Sequence, residues 1–105
     1  MYMNDYQEKT SATAIYPKDK ALEYLTLGLV SEAGEVAGKV KKFLRGDYDE
    51  LPREDLEKEL GDVLWYIAQL CEVMGLAMGD AAYFNLKKLM ERKKNNTLQG
   101  NGDDR

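Results

Sequence analysis

The chain is expected to fold as an all-α bundle of four to five helices around a central antiparallel helix pair. Three observations predict this. Apolar residues recur at helical spacing through three long segments. No segment shows the strict alternation of a half-buried strand. Gly and Pro punctuate the chain where those segments begin or end.

The first helix is expected from about Asn4 to Ala14, stopping ahead of Pro17, whose ring disfavours helix in the residue before it. The second runs from about Asp19 to Arg45, with Gly46 as its stop and a stripe of Leu22, Leu25, Leu29, Val36, Val40 and Phe43. Gly28, Gly34 and Gly38 each lower its propensity by up to about 1 kcal/mol, which points to tight packing or a nearby ligand. The third begins at Pro52, suited to a first helical position, and ends before Gly75. Leu56, Leu60, Val63, Ile67, Leu70 and Met74 form its stripe, while Trp65 and Ala68 face elsewhere. A helix apolar on two sides is buried on two sides, and in so small a protein the second side is expected to meet another subunit. The fourth helix has Asp80 as its N-cap, reaches about Lys94, and offers Leu86, Leu89 and Met90 to the core.

One domain is expected over residues 1–94, followed by a polar, glycine-bearing tail over residues 95–105. No run of about 18 uncharged apolar residues exists, so no membrane span is expected. Residues 1–5 lack a signal peptide's basic and apolar regions, which makes a cytoplasmic location the expectation. A net charge of −4 argues against binding a nucleic-acid polymer. With no His and Cys71 as the one Cys, a Cys/His zinc site, an intrachain disulfide and a histidine triad are excluded. Cys71 lies on an apolar face and reads as a small core residue rather than a nucleophile.

Chemistry is therefore left to carboxylates, amines, guanidinium groups, phenols or a bound ion. Two acidic pairs stand out: Glu32 and Glu35 in S-E-A-G-E-V, and Glu59 and Asp62 in K-E-L-G-D-V. Spacing i, i+3 puts each pair on one helix face. Other acids share that spacing, such as Glu54 with Glu57, so spacing alone counts for little. Placement decides. At about 100° per residue Glu32 projects mid-stripe between Leu29 and Val36, where a carboxylate costs several kcal/mol unless paired or metal-bound.

The hairpin register agrees. Glu35 lies roughly 15 Å before the turn and Glu59 roughly 9 Å after it, so antiparallel packing brings the pairs within about one turn. Four converging carboxylates repel one another unless a cation sits among them. Oxygen donors select a hard divalent ion, Mg²⁺, with Mn²⁺ as a substitute. The competing reading is neutralisation by Lys39, Lys42 or Lys58 in salt bridges.

E-A-G-E on one expected helix and E-L-G-D on the next resemble the E-x-x-E … E-x-x-D signature of MazG-type nucleotide pyrophosphohydrolases, within the all-α nucleoside triphosphate pyrophosphatase superfamily. Lys39 and Lys42 after the first pair, V-L-W-Y-I-A after the second, N-L-K-K-L-M-E-R-K and the closing G-N-G-D-D-R extend the resemblance over nearly all the chain from Leu22. The resemblance implies Mg²⁺-dependent hydrolysis of a nucleoside triphosphate, or its deoxy form, to the monophosphate and pyrophosphate, including clearance of non-canonical nucleotides. Glu32, Glu35, Glu59 and Asp62 are then the metal ligands, with one glutamate doubling as base for the attacking water. Lys39, Lys88 and Arg92 would contact phosphates, Asn85 phosphate or sugar, and Tyr66 the nucleotide by stacking or hydrogen bonding.

Trp65 is open to two readings, a base platform or, favoured by its position, subunit packing. Gly100, Asn101, Gly102, Asp103 and Arg105 either fold over the nucleotide or stay disordered. A homodimer or a dimer of dimers is expected, with the fourth helix acting in trans. The alternatives are a non-catalytic nucleotide- or metal-binding protein of the same fold, and a plain helical interaction module.

Overall fold

A computed structural model describes residues 1–97, and all statements on structure concern these. They form α1 (Met3–Thr10), α2 (Ala21–Leu44), α3 (Arg53–Met74) and α4 (Met78–Lys94), with short 3₁₀ turns at Ser11–Thr13 and Lys18–Lys20. No strand occurs among them, as the periodicity predicts. The first helix is shorter than expected: beyond Thr10 the chain tightens into 3₁₀ geometry before Pro17.

The most extensive helix contact is α2 on α3. Its register runs antiparallel: Gly28 faces Tyr66, Glu32 faces Asp62 and Glu59, and Lys39 faces Glu59. Both helices end in a Schellman pattern. After α2, Asp47 N–H donates to Lys42 O and Gly46 N–H to Phe43 O; after α3, Leu76 N–H donates to Cys71 O and Gly75 N–H to Glu72 O. Gly46 (φ 92) and Gly75 (φ 69) take the left-handed conformation these stops require.

Between α3 and α4 the chain turns through 104°. This leaves α4 against α1 and α3 rather than along α2. Asp80 does not cap α4. The helix starts at Met78, and its first N–H groups are satisfied from α1: Gln7 Oε1 accepts from Met78 N–H at 2.6 Å and Asn4 Oδ1 from Gly79 N–H at 2.8 Å. Gln7 Nε2 also donates to Leu76 O and to Glu72 Oε1, both at 2.8 Å. Local sequence cannot show such a cap, because the donor and acceptor lie about seventy residues apart.

Two small cores result. Tyr16, Ala21 and Leu25 are packed by Ala14, Trp65, Tyr66 and Leu70; Ala68, Cys71 and Met78 are packed by Tyr6 and Ile67. Leu25 is fully buried, worth about 1.5–3 kcal/mol. Cys71 is buried, and burial pushes its thiol above the usual range, as befits a core residue.

Other expectations fail. Leu22, Val40, Leu60 and Met74 of the expected stripes are exposed, and on α4 Leu86 (64%) and Met90 (60%) face outward. The expected stripes are wider than the surface one small chain can cover. Trp65 and Ala68 do the reverse and pack within the chain. Among the described residues no single helix is long and apolar enough to cross a membrane.

Candidate active site

At the middle of the α2–α3 contact, one carboxylate oxygen from each of Glu32, Glu59 and Asp62 lies within 4.8 Å of the others. Helical spacing sets Glu59 and Asp62 on one face of α3, and the antiparallel register brings Glu32 over them. Glu32 shows the electrostatic consequence. Burial pushes its carboxyl above the usual range, reinforced by the charges of Asp62, Glu59 and Glu35 and by a hydrogen bond with Glu59. The sign follows: ionising Glu32 opposes folding, so its favourable contribution is present below its unfolded value and lost as pH rises through the raised one. Glu35 is exposed and stands outside the group of three, although its charge reaches Glu32.

Lys39 is the basic side chain at this cluster that forms an ion pair, its Nζ 3.9 Å from Glu59 Oε1. The separation is long for a charge-assisted bond, so this contact offsets only part of the repulsion. The neutralising salt bridge considered from sequence is therefore present for one lysine and weak. A set of mutually repelling oxygen donors, with Glu32 and Glu59 half-buried and Asp62 exposed, is the chemistry of a hard divalent cation site. The residues fit such an ion.

Beside the carboxylates opens a cleft of about 410 Å³, lined by Thr13, Ile15, Tyr16, Tyr24, Glu32, Asp62, Trp65 and Tyr66. Its walls are aromatic, in the stacked and edge-on arrangements that ring quadrupoles favour. Tyr16 and Tyr24 stack with centroids 5.5 Å apart and planes 18° apart. Trp65 meets Tyr66 edge-on at 5.1 Å and Tyr16 at 6.3 Å. Trp65 Nε1 donates to Thr13 Oγ1 at 2.9 Å. Lys18 Nζ sits 4.1 Å from the Tyr16 ring centroid, over its face.

Tyr66 depends on a single glycine. A Cβ on Gly28 would collide with Cε1, Cζ and Cδ1 of the Tyr66 ring, so the bare α2 backbone lets the phenol pack directly against it. Gly34 and Gly38, grouped with Gly28 on sequence grounds, have open space where a Cβ would be. Desolvation raises the Tyr66 phenol, helped by the charge of Tyr24 and a hydrogen bond with it, then by the charges of Glu32 and Asp62.

The structure thus unites Glu32, Glu59, Asp62, Lys39 and Tyr66, and it makes Trp65 a wall of the cleft. It does not bring α4 there. Asn85 is exposed, Lys88 half-buried and Arg92 buried, and none lines the cleft of its own chain. The expectations for Gly100 to Arg105 lie outside the described residues. Sequence reasoning missed Thr13, Tyr16 and Tyr24. Tyr16 and Tyr24 sit on either side of the Lys18–Lys20 turn, and only the fold stacks their rings.

The family model for a MazG nucleotide pyrophosphohydrolase domain matches residues 20–97. The chain is 45% identical over 114 residues to the Gene 37 protein of Mycobacterium phage L5, with 100% of both chains covered. No solved structure matches. The matched span holds both acidic pairs, the α2–α3 hairpin that unites three of their four carboxylates, and α4, and the chain belongs to the MazG nucleotide pyrophosphohydrolase family.

Proposed function

We propose that this protein hydrolyses nucleoside triphosphates, or their deoxy forms, to the monophosphate and pyrophosphate in the presence of Mg²⁺. The observation that carries the reading is the convergence of Glu32, Glu59 and Asp62 at the edge of an aromatic cleft. A nucleotide has the matching polarity, with an anionic end that needs cations and a flat ring that suits aromatic walls.

Glu32, Glu59 and Asp62 would hold the metal, with Glu35 as the fourth carboxylate. When bound, the ion neutralises phosphate charge and acidifies an attacking water. The chain's own residues supply the rest. The cleft orients the nucleoside so that the α-phosphorus faces the carboxylates, and the Glu32 carboxylate accepts the proton of the attacking water at its oxygen. Lys39, already at the edge of the cluster, contributes positive charge where the phosphates lie. No protein nucleophile is required.

The remaining phosphate contacts come from a second chain. Asn85 and Lys88 lie on α4, which does not line the cleft of its own chain, so they serve a neighbour's site in a dimer or a dimer of dimers, whereas Arg92 is buried within its own chain and is not offered to one. Clearing non-canonical nucleotides is the role such an activity would serve.

The test is pyrophosphate release from a panel of canonical and modified triphosphates, with and without Mg²⁺, for the wild type and Glu32→Gln. Metal-dependent pyrophosphate release is expected, falling roughly 10³-fold in Glu32→Gln while the folded helical content is unchanged. Release of single phosphates would put the cut at another bond and reject the mechanism. Nucleotide binding without turnover would favour a non-catalytic protein of the same fold.

A further inference from the structure

We infer that Lys39 and the metal compete for the same carboxylates, the Lys39 ammonium being a tethered cation that a divalent ion must displace from Glu59. The inference rests on the proposed metal-dependent reading and adds the residue that sets how tightly the free protein holds its metal.

Lys39 stands seven residues after Glu32 on α2, two turns further along and on the same face. Its side chain reaches across to α3, where Nζ lies 3.9 Å from Glu59 Oε1. Lys39 is 23% exposed there and Glu59 19%, so salt screens this pair less than a pair in open solvent. The ion pairs Lys20–Glu23 and Arg45–Asp47, by contrast, join near neighbours in sequence at exposed positions.

Glu59 also belongs to the group of three whose oxygens lie within 4.8 Å of one another. A divalent ion held by these oxygens brings two positive charges to the carboxylate that Lys39 faces. Like charges repel, and Glu59 then has less negative charge left for the ammonium. The contact is built to be given up. At 3.9 Å it is longer than the roughly 2.7–2.9 Å of a charge-assisted hydrogen bond. Coulomb attraction alone holds it, and the flexible four-carbon stem lets the ammonium swing away.

One lysine does not settle the cluster. The Glu32 carboxyl stays above its usual range, by burial first and then by the charges of Asp62, Glu59 and Glu35. A single positive charge against these carboxylates leaves an excess of negative charge, in which a dication outcompetes an ammonium. Lys39 thereby keeps the free protein's hold on metal weak, and it is released toward the phosphates when metal and substrate bind together.

The test is calorimetric titration of the full-length protein with Mn²⁺, without nucleotide. Lys39→Met, or Lys39→Gln should the former not fold, is expected to bind Mn²⁺ about tenfold more tightly than the wild type. Its melting temperature should also rise further at a fixed Mn²⁺ concentration. Lys39→Arg keeps the charge and is expected to stay within about threefold of the wild type. Lys41→Met removes an exposed lysine of the same helix and is expected to change Mn²⁺ affinity little. A lysine with a merely structural role, or one that meets only phosphate, gives no tightening.

Unchanged or weaker Mn²⁺ binding in Lys39→Met overturns the inference, as does equal tightening in Lys41→Met or Lys39→Arg, or no Mn²⁺ binding by any of these proteins. Tighter binding in Lys39→Met, without pyrophosphate release by the wild type, rejects the hydrolase reading and leaves the competition standing. Release by the wild type with unchanged Mn²⁺ affinity in Lys39→Met does the opposite.

Discussion

Gly28 and Gly34 occupy the same helix and would cost a peptide helix the same, about 1 kcal/mol each relative to Ala. The structure separates them. At Gly34 an added methyl meets open space, so Gly34→Ala should raise stability by up to about 1 kcal/mol, read as a higher melting temperature. At Gly28 the methyl meets the Tyr66 ring, which must swing into the cleft; overpacking of this kind costs about 1–3 kcal/mol. Gly28→Ala is therefore expected to gain nothing in stability and to weaken nucleotide binding at least tenfold. Equal behaviour of the two variants in thermal melts and nucleotide titrations would contradict the packing described. The same contrast applies to the acids. Four were marked by spacing and placement; Glu32, Glu59 and Asp62 meet, while Glu35 stands outside the group on α2.

At the level of the element, helix identity was legible and helix ends less so. The second and third helices lie within two residues of their expected limits, since their stripes are long and Gly46 and Gly75 stop them with positive φ. The start of α4 was misread because Asp80 has the chemistry of a cap, whereas the actual cap comes from Gln7 and Asn4 on α1. This yields a direct comparison. Gln7→Leu strands the Met78 N–H and removes a bond to the Leu76 carbonyl in a buried place, for an expected loss of about 2–3 kcal/mol in urea unfolding. Asp80→Ala removes only a favourable charge in the first turn, about 0.3–1 kcal/mol. Were Asp80→Ala the more damaging change, the cap assigned to α1 would be wrong.

The molecule as a whole is more open than its length requires. Its Cα radius of gyration is 16.6 Å. A compact chain of this length has about 13 Å. Leu27, Val30, Leu44, Tyr83, Phe84, Leu86 and Met90 are all exposed. These apolar faces, with Lys88 of α4 outside the lining of its own chain's cleft, support the proposed self-association. Sedimentation equilibrium at micromolar concentration is expected to show a dimer or tetramer. Phe84→Asp should shift it toward monomer and reduce pyrophosphate release at least tenfold. A fully active monomer would overturn both the assembly and the trans role of α4.

The sequence by itself determined the helical class, the central hairpin and the acidic signature, because periodicity and i, i+3 spacing are properties of a single helix. Tertiary structure alone decided which carboxylates meet, that Trp65 turns inward, and that a Tyr16–Tyr24 wall pinned by Gln69 stands beside them. Those facts join residues far apart in the chain, as when Tyr16 reaches Gln69, and no local pattern encodes such a contact. It is set by how two packed helices rotate to bury their stripes, and that choice belongs to the whole chain.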